Sequence, residues 1–346
     1  MVSDELAGEG VVEGVAATVG VSRWEALADR VLAGEAAERE ELLAVATSSD
    51  AELLAVLQAA FRVREHHHGR VVRVHMLQNA KSGLCPEDCS FCSQSVHHNS
   101  DVERYKMQSV EELVDGARRA YEAGAVTYCM VTSTRGPTGR EVATVAEAAR
   151  IIKEKYPLRL CTALGILKPG QAETLHEAGI DRYNHNIETS ERYFSEIVSS
   201  HQWQDRVDTI QTAREAGMEA CCGGIVGMGE EAEDRVDLAL ALRDIGVESV
   251  PVNFLDPRPG TPLGHVSRLK PNDCLRTLAM FRFANPSADV RIAGGREVAL
   301  GALQSLALYP ANSLFTDGYL TTPGATPEAD WKMIKEAGFV GEIAGG

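Results

Sequence analysis

Cys85-Pro-Glu-Asp-Cys89-Ser-Phe-Cys92 places three thiols within eight residues. Thiolates are soft ligands, and a run this dense reads as a metal centre. A structural zinc site would close its tetrahedron with a fourth ligand, for which His97 and His98 stand near in sequence. On a four-iron cluster the same thiols would leave one iron open to a substrate or cofactor, as catalytic zinc sites leave one position open. The ligand count favours the open cluster, with zinc as the alternative.

A second set is spread along the chain: Cys129, Cys161 and Cys221, with Arg291. Taken singly, each cysteine reads as a small core hydrophobe, since free Cys is among the most buried residue types. Each of the four falls in the middle of a different β-rich segment: the second, third, fifth and seventh along the chain. Barrel strands aim alternate side chains inward, so four strands can bring these residues to one interior point. Cys222 faces away from Cys221 on a strand, and parity alone does not say which of the two points in. Cys274 sits in a helical pattern and reads as packing.

Two strand ends add polar chemistry. Gly223-Gly-Ile-Val-Gly-Met-Gly-Glu230 leaves a strand for a helix. Its glycines permit close backbone approach to a ligand, or simply tight strand–helix packing. Tyr183-Asn184-His185-Asn186-Ile187-Glu188 puts Asn184, Asn186 and Glu188 on one strand face. Buried amides and a carboxylate there need partners, from a ligand or from water. His66-His67-His68 ends a helical pattern, where cationic or polar side chains are favoured, and consecutive helical side chains diverge; it is not read as a metal site.

Something must hold these residues in place. Strand candidates at 71–80, 125–133, 158–165, 181–188, 219–227, 249–256, 289–295 and 313–321 alternate with amphipathic helical patterns. Several helices run into a terminating glycine: Gly124, Gly179, Gly217 and Gly246. The alternation predicts an α/β fold with parallel strands and right-handed crossovers. Eight strands suit a closed (β/α)8 TIM-type barrel, with an open doubly wound sheet as the other arrangement. The 85–92 loop then follows the first strand at its C-terminal end, where barrels carry active sites. Residues 21–69 give three helical patterns with Ser22, Ser49 and Asp50 as N-caps, read as a helical N-terminal cap. Residues 1–20 are read as a disordered start, 70–322 as the barrel, and 323–346 as a C-terminal tail with one short helix.

Composition narrows the partners. The 346 residues carry 50 acidic and 34 basic side chains, a net charge of −16. That argues against nucleic acid and against an anionic membrane surface. No apolar run approaches the roughly 18 residues of a membrane span. The first residues lack the basic and apolar regions of a secretory signal, so a cytoplasmic location with reduced cysteines is expected.

The triple-cysteine spacing resembles the signature of radical S-adenosylmethionine (SAM) enzymes, and NAKSGLCPEDCSFCSQS resembles one branch of them, the biotin synthases. The likeness runs from about residue 40 to 340 and takes in DRYNHNIETS, EACCGGIVGMGE, VPVNFLDPRPGTPL, VRIAGGRE and ANSLFTDGYLTT. The resemblance implies a sulfurtransferase that converts dethiobiotin to biotin. It implies a [4Fe–4S] cluster on Cys85, Cys89 and Cys92, whose open iron binds SAM, and a sulfur-donating [2Fe–2S] cluster on Cys129, Cys161, Cys221 and Arg291. It implies that Asn186 and Glu188 contact the SAM ribose region, Arg206 its carboxylate, and Ile225 and Val226 its adenine. Lys81, Asn184 and Asn253 would meet the ureido ring of the substrate. A flavodoxin-like electron donor and a homodimer belong to the same implication. Thr127 departs from many relatives, which carry a basic residue two places before the first auxiliary cysteine.

Overall fold

The computed structural model describes residues 22–345; the segment read as a disordered start lies outside them. The strands are β1 (Val71–Lys81), β2 (Thr127–Thr132), β3 (Arg159–Ala163), β4 (Arg182–Asn184), β5 (Glu219–Cys221), β6 (Gly224–Val226), β7 (Ser249–Phe254), β8 (Asp289–Ile292), β9 (Ser313–Phe315) and β10 (Val340–Glu342). All pair in parallel, and β1 bonds to both β2 and β9, which closes the sheet. β5 and β6 are two halves of one stave, both against β7, so the barrel has eight staves.

The helices are α1 (Arg23–Leu32), α2 (Arg39–Ala46), α3 (Leu53–His68), α4 (Val110–Glu122), α5 (Gly139–Lys155), α6 (Gln171–Glu177), α7 (Glu191–Ile197), α8 (Trp203–Glu215), α9 (Ala232–Ile245), α10 (Pro271–Ala284), α11 (Arg296–Leu300) and α12 (Pro327–Glu336). Local sequence explains their ends. Ser109 accepts from the Glu112 backbone while the Glu112 carboxylate accepts from the Ser109 N–H, a reciprocal cap that starts α4. Its buried face is Leu113, Gly116, Ala117 and Ala120, and the small residues let it lie close to the sheet. A Cβ on Gly116 would fall 1.7 Å from Gln78 Oε1.

The main core lies between staves and helices. On β2 the outward Tyr128 and Met130 pack with Leu160 of β3 and Tyr183 of β4, while Cys129 between them turns into the barrel. The N-terminal helices lie against the barrel's own helices, α3 on α10 and α2 on α9 and α10. Ser22 caps α1. Ser49 caps a 3₁₀ turn, Asp50–Glu52, that leads into α3. Asp50 therefore lies inside the turn and is not a cap; its carboxylate pairs with Arg276 of α10.

The tail contains more than one helix. After α12 the chain adds β10 to the start of β1, three residues too short and too exposed to show a strand pattern. The tail also sends Asp330 to a buried ion pair with Arg296, 2.9 Å apart. Among the described residues no single helix is long and apolar enough to cross a membrane.

Candidate active site

The cysteine loop follows β1 at the C-terminal end of the barrel and has little regular structure, so its shape rests on specific hydrogen bonds. The Cys85 N–H donates to Gln94 O at 3.2 Å, and its carbonyl accepts from Val96 N at 2.9 Å. Cys92 N donates to Cys89 O at 2.9 Å, closing a turn between these two thiols. The Asp88 carboxylate accepts from the backbone N–H groups of Ser199 and Ser200, both at 3.1 Å. Cys85, Cys89 and Cys92 line a chamber of about 210 Å³.

Among the described residues no fourth ligand of the kind the zinc alternative requires joins the three thiols. His97 Nε2 lies 2.9 Å from Pro86 O and His98 Nδ1 lies 2.8 Å from Cys92 O, contacts that orient each ring and leave its other nitrogen uncommitted. Among the described residues no three His, Cys, Asp or Glu side chains converge on a single-ion site.

The second set lines the same chamber from below. Cys129 pairs in register with Cys161, and Asn184 with Cys221. Cys221 points inward with the other two, whereas Cys222 packs in the outer core, which settles the parity question. The three inner thiols are 5%, 2% and 1% exposed. Arg291 joins them: Nη1 lies 3.7 Å from the Cys221 sulfur, and Nη2 donates to Ser249 Oγ and to Asp289 Oδ2, both at 2.9 Å. Its Nε is buried without a partner. Asp289 also accepts from Ser313 Oγ at 2.5 Å, Asn312 Nδ2 at 3.0 Å and Arg182 Nη1 at 3.5 Å. Burial opposes ionisation of Asp289, yet Arg291 and Arg182 together hold its carboxyl well below the usual range. The position two residues before Cys129 is the buried Thr127, and the second cation of this floor comes instead from Arg182 on β4.

Every thiol with a resolved shift is held in its neutral form. Burial pushes Cys92 up to about 11 and raises Cys85 and Cys89, with Arg206 opposing at both. Cys161 is raised by its hydrogen bond with Cys129, and Cys221 by its hydrogen bond with Cys161, each with burial adding. Loading metal on either set must therefore release protons.

The polar strand ends converge, but not as one regular strand. β4 stops at Asn184, and Glu188, with φ of 68°, makes only an isolated bridge to Gly224. The partner stave breaks in step between β5 and β6, and glycine at 224 lets the Glu188 backbone lie close, since a Cβ there would fall 2.2 Å from Glu188 O. Asn184, Asn186, Glu188 and Arg206 nonetheless all line the chamber. Asn184 Nδ2 lies 3.3 Å from the Cys221 sulfur. Glu188 is 7% exposed, with Oε1 3.2 Å from Arg206 Nη1 and Oε2 without a partner. Burial raises its carboxyl to about 7 against the pull of Arg206.

Four other residues are placed differently. Ile225 and Asn253 line an adjoining cavity of about 180 Å³. The Asn253 amide is already engaged, with Nδ2 on Gly224 O at 3.0 Å and Oδ1 accepting from Gly294 N at 2.9 Å. Val226 packs in the outer core, and its carbonyl accepts from Leu255 N at 2.9 Å. Lys81 is not among the residues lining either cavity; its ammonium pairs with Glu141 at 2.8 Å.

Sequence reasoning missed Tyr319, which borders both cavities, and the turn that carries it. Asp317 and Leu320 hold positive φ of 61° and 54° there. Thr321 Oγ1 lies 3.2 Å from Ser93 Oγ, and Arg258 Nη2 donates to Thr322 Oγ1 at 2.6 Å, strapping the turn across the cysteine loop and the end of β7. The strand expected over 313–321 ends at Phe315, and the positive φ values at Asp317 and Leu320 turn the rest of that segment across the chamber.

Comparison with known proteins adds the family. Residues 81–242 match the model of the radical SAM superfamily, and 251–340 that of the biotin and thiamin synthesis associated domain. The biotin synthase of Salinibacter ruber is 59% identical over 319 residues, 92% of this chain and 89% of that one. The biotin synthase of Bacillus subtilis (strain 168) is 48% identical, over 92% of this chain and 95% of its own length. Methylornithine synthase shares the fold with a TM-score of 0.79 at 18% identity, over 90% of this chain and 96% of that one. An [FeFe]-hydrogenase maturase from Carboxydothermus hydrogenoformans follows at 0.77 and 18%, over 92% of this chain and 79% of that one. The solved structures speak for the barrel alone, since a fold does not imply a reaction. Sequence likeness along most of its length decides the rest: the chain belongs to the biotin synthase family of radical SAM enzymes.

Proposed function

We propose that this chain inserts sulfur into dethiobiotin between two iron–sulfur clusters, a SAM-binding [4Fe–4S] cluster on Cys85, Cys89 and Cys92 and a [2Fe–2S] cluster on Cys129, Cys161 and Cys221 with Arg291. The observation that carries the reading is that both thiol sets line one chamber. When bound, the upper cluster supplies the electron that cleaves SAM to a 5′-deoxyadenosyl radical and the lower one supplies sulfur, chemistry that belongs to the cofactors.

The chain's own part is to bind, orient and exclude water. The donor sets suit soft iron centres, three thiols each. The unpartnered Glu188 Oε2 is an acceptor for a ribose hydroxyl, with Asn186 beside it. Arg206 faces the chamber as a cation for the SAM carboxylate, and Ile225 offers an apolar surface for the adenine, with Val226 behind it. Asn184 and Asn253 flank the space for the ureido ring. The Lys81–Glu141 pair would have to open for Lys81 to reach that ring. The family resemblance further supports a flavodoxin-like electron donor, a homodimer and a cytoplasmic location.

Anaerobic reconstitution tests the reading. About six irons per chain, four plus two, with single-turnover conversion of dethiobiotin to biotin are expected. Zinc in place of iron would overturn it.

A further inference from the structure

The cysteine loop is joined to Arg206 through a carboxylate–imidazole–guanidinium relay. Glu87 lies between Cys85 and Cys89, and its Oε2 accepts from Ser200 Oγ and pairs with His201 Nδ1. His201 Nε2 lies 2.8 Å from Arg206 Nε. Arg206 sends Nη1 to Asn186 O at 2.8 Å and to Glu188 Oε1 at 3.2 Å, and Nη2 to the Cys89 sulfur at 3.8 Å. Glu87, His201 and Arg206 are 6%, 6% and 7% exposed. The Phe194 ring packs against both later members, 5.6 Å from the imidazole and 5.7 Å from the guanidinium carbon.

One protonation pattern satisfies the relay. A neutral imidazole with its hydrogen on Nδ1 donates to Glu87 and accepts from the Arg206 Nε–H. A hydrogen on Nε2 would instead face that N–H. A guanidinium has five N–H bonds. Nε uses one on His201, Nη1 uses two, and Nη2 uses one on Cys89, which leaves a single Nη2 hydrogen for a ligand in the chamber. An unanchored arginine would sample many rotamers; anchored at Nε it presents one.

We propose that His201 is a positioning residue: oriented by Glu87, it aims Arg206 so that one N–H meets the Cys89 sulfur and another meets the SAM carboxylate. The second half rests on the reading of Arg206 given above. Because Glu87 belongs to the cysteine loop, folding that loop and aiming the arginine are one event.

His201→Leu removes both ring nitrogens, whereas His201→Gln carries an amide that donates to Glu87 and accepts from Arg206. Reconstituted full-length proteins are compared by iron content, by the midpoint potential of the upper cluster without SAM, and by SAM affinity from titration of the reduced cluster's paramagnetic signal. His201→Leu is expected to keep its iron, to show a lower potential because an N–H to a ligand sulfur is lost, and to bind SAM on the order of tenfold more weakly. His201→Gln should recover most of both. Arg206→Leu should lower the potential in the same way, and adding His201→Leu to it should change little further. Wild-type potential and SAM affinity in His201→Leu would overturn the inference. Should leucine cost the fold, His201→Asn, too short to reach both partners, must show the same lowered potential, and a wild-type value there overturns it equally. A lowered potential with unchanged SAM affinity in Arg206→Leu would sink the carboxylate role and leave the relay standing.

Discussion

Cys161→Ala removes a thiol from the lower set and none from the upper. The reconstituted variant is expected to cleave SAM, measured as 5′-deoxyadenosine, while forming no biotin. A near wild-type biotin yield would make Cys161 a packing residue. Arg291→Met is a finer test. Iron content and substantial biotin formation are expected to persist, because thiolates supply the strong bonds and the nearest guanidinium nitrogen is 3.7 Å from a sulfur. The cost should fall on stability. Asp289 loses one guanidinium but keeps Arg182, Asn312 and Ser313. We expect about 1–3 kcal/mol by anaerobic denaturation, less than the ~3–5 kcal/mol of a fully orphaned buried charge. Loss of about two irons per chain would instead make the arginine a required ligand. At this scale the thiols were legible because cysteine spacing is itself a chemical signal. The relay was not: Glu87 and His201 are 114 positions apart, and nothing local distinguishes either from an ordinary loop residue.

Among the elements, α3 ends on a histidine that behaves unlike a helix-terminal cation. Burial, and then the neighbouring Arg282 guanidinium, lower His68 to about 3, so the folded protein keeps it neutral. The unfolded chain takes up that proton below about pH 6.5. Stability from this site is therefore present above pH 6.5 and is lost as pH falls from there toward 3. Discounted for partial exposure, the loss by pH 5 is about 1 kcal/mol. His68→Gln should flatten the acid side of a melting-temperature profile by that amount, and an unchanged slope would refute it. The eight staves were legible because inward and outward residues alternate, as Tyr128, Cys129 and Met130 do. The break between β5 and β6 was not, because it falls at Cys222–Gly223 beside close backbone approaches from Pro251 and Glu188 that no periodicity encodes. β10 was hidden for a different reason: three exposed residues gain their strand character only from β1.

For the whole molecule, the C-terminal segment is a structural member. Arg296 is 1% exposed and is compensated by two carboxylates, Glu297 and Asp330, each at 2.9 Å, while Trp331 Nε1 donates to Ala123 O at 2.8 Å. Truncation after Thr322 removes one of the two carboxylates on this buried guanidinium, a loss of about 1–3 kcal/mol before the lost packing of α12 and β10 is added. The shortened chain is expected to show no cooperative unfolding transition under conditions where the full chain does, and a full-strength transition would show the tail to be dispensable.

The two thiol sets lie at different depths of one chamber, and depth imposes a sequence in time. The lower thiols rest on a floor closed by His75, Arg182 and Asp289, all buried. Any iron or sulfide bound for Cys129, Cys161 and Cys221 through the chamber mouth must pass the Cys85–Cys92 loop and the strapped turn at Tyr319. On the proposed two-cluster reading the deeper site would be filled first and restocked last, and whatever seats the upper loop would also shut the supply route to the thiols below it.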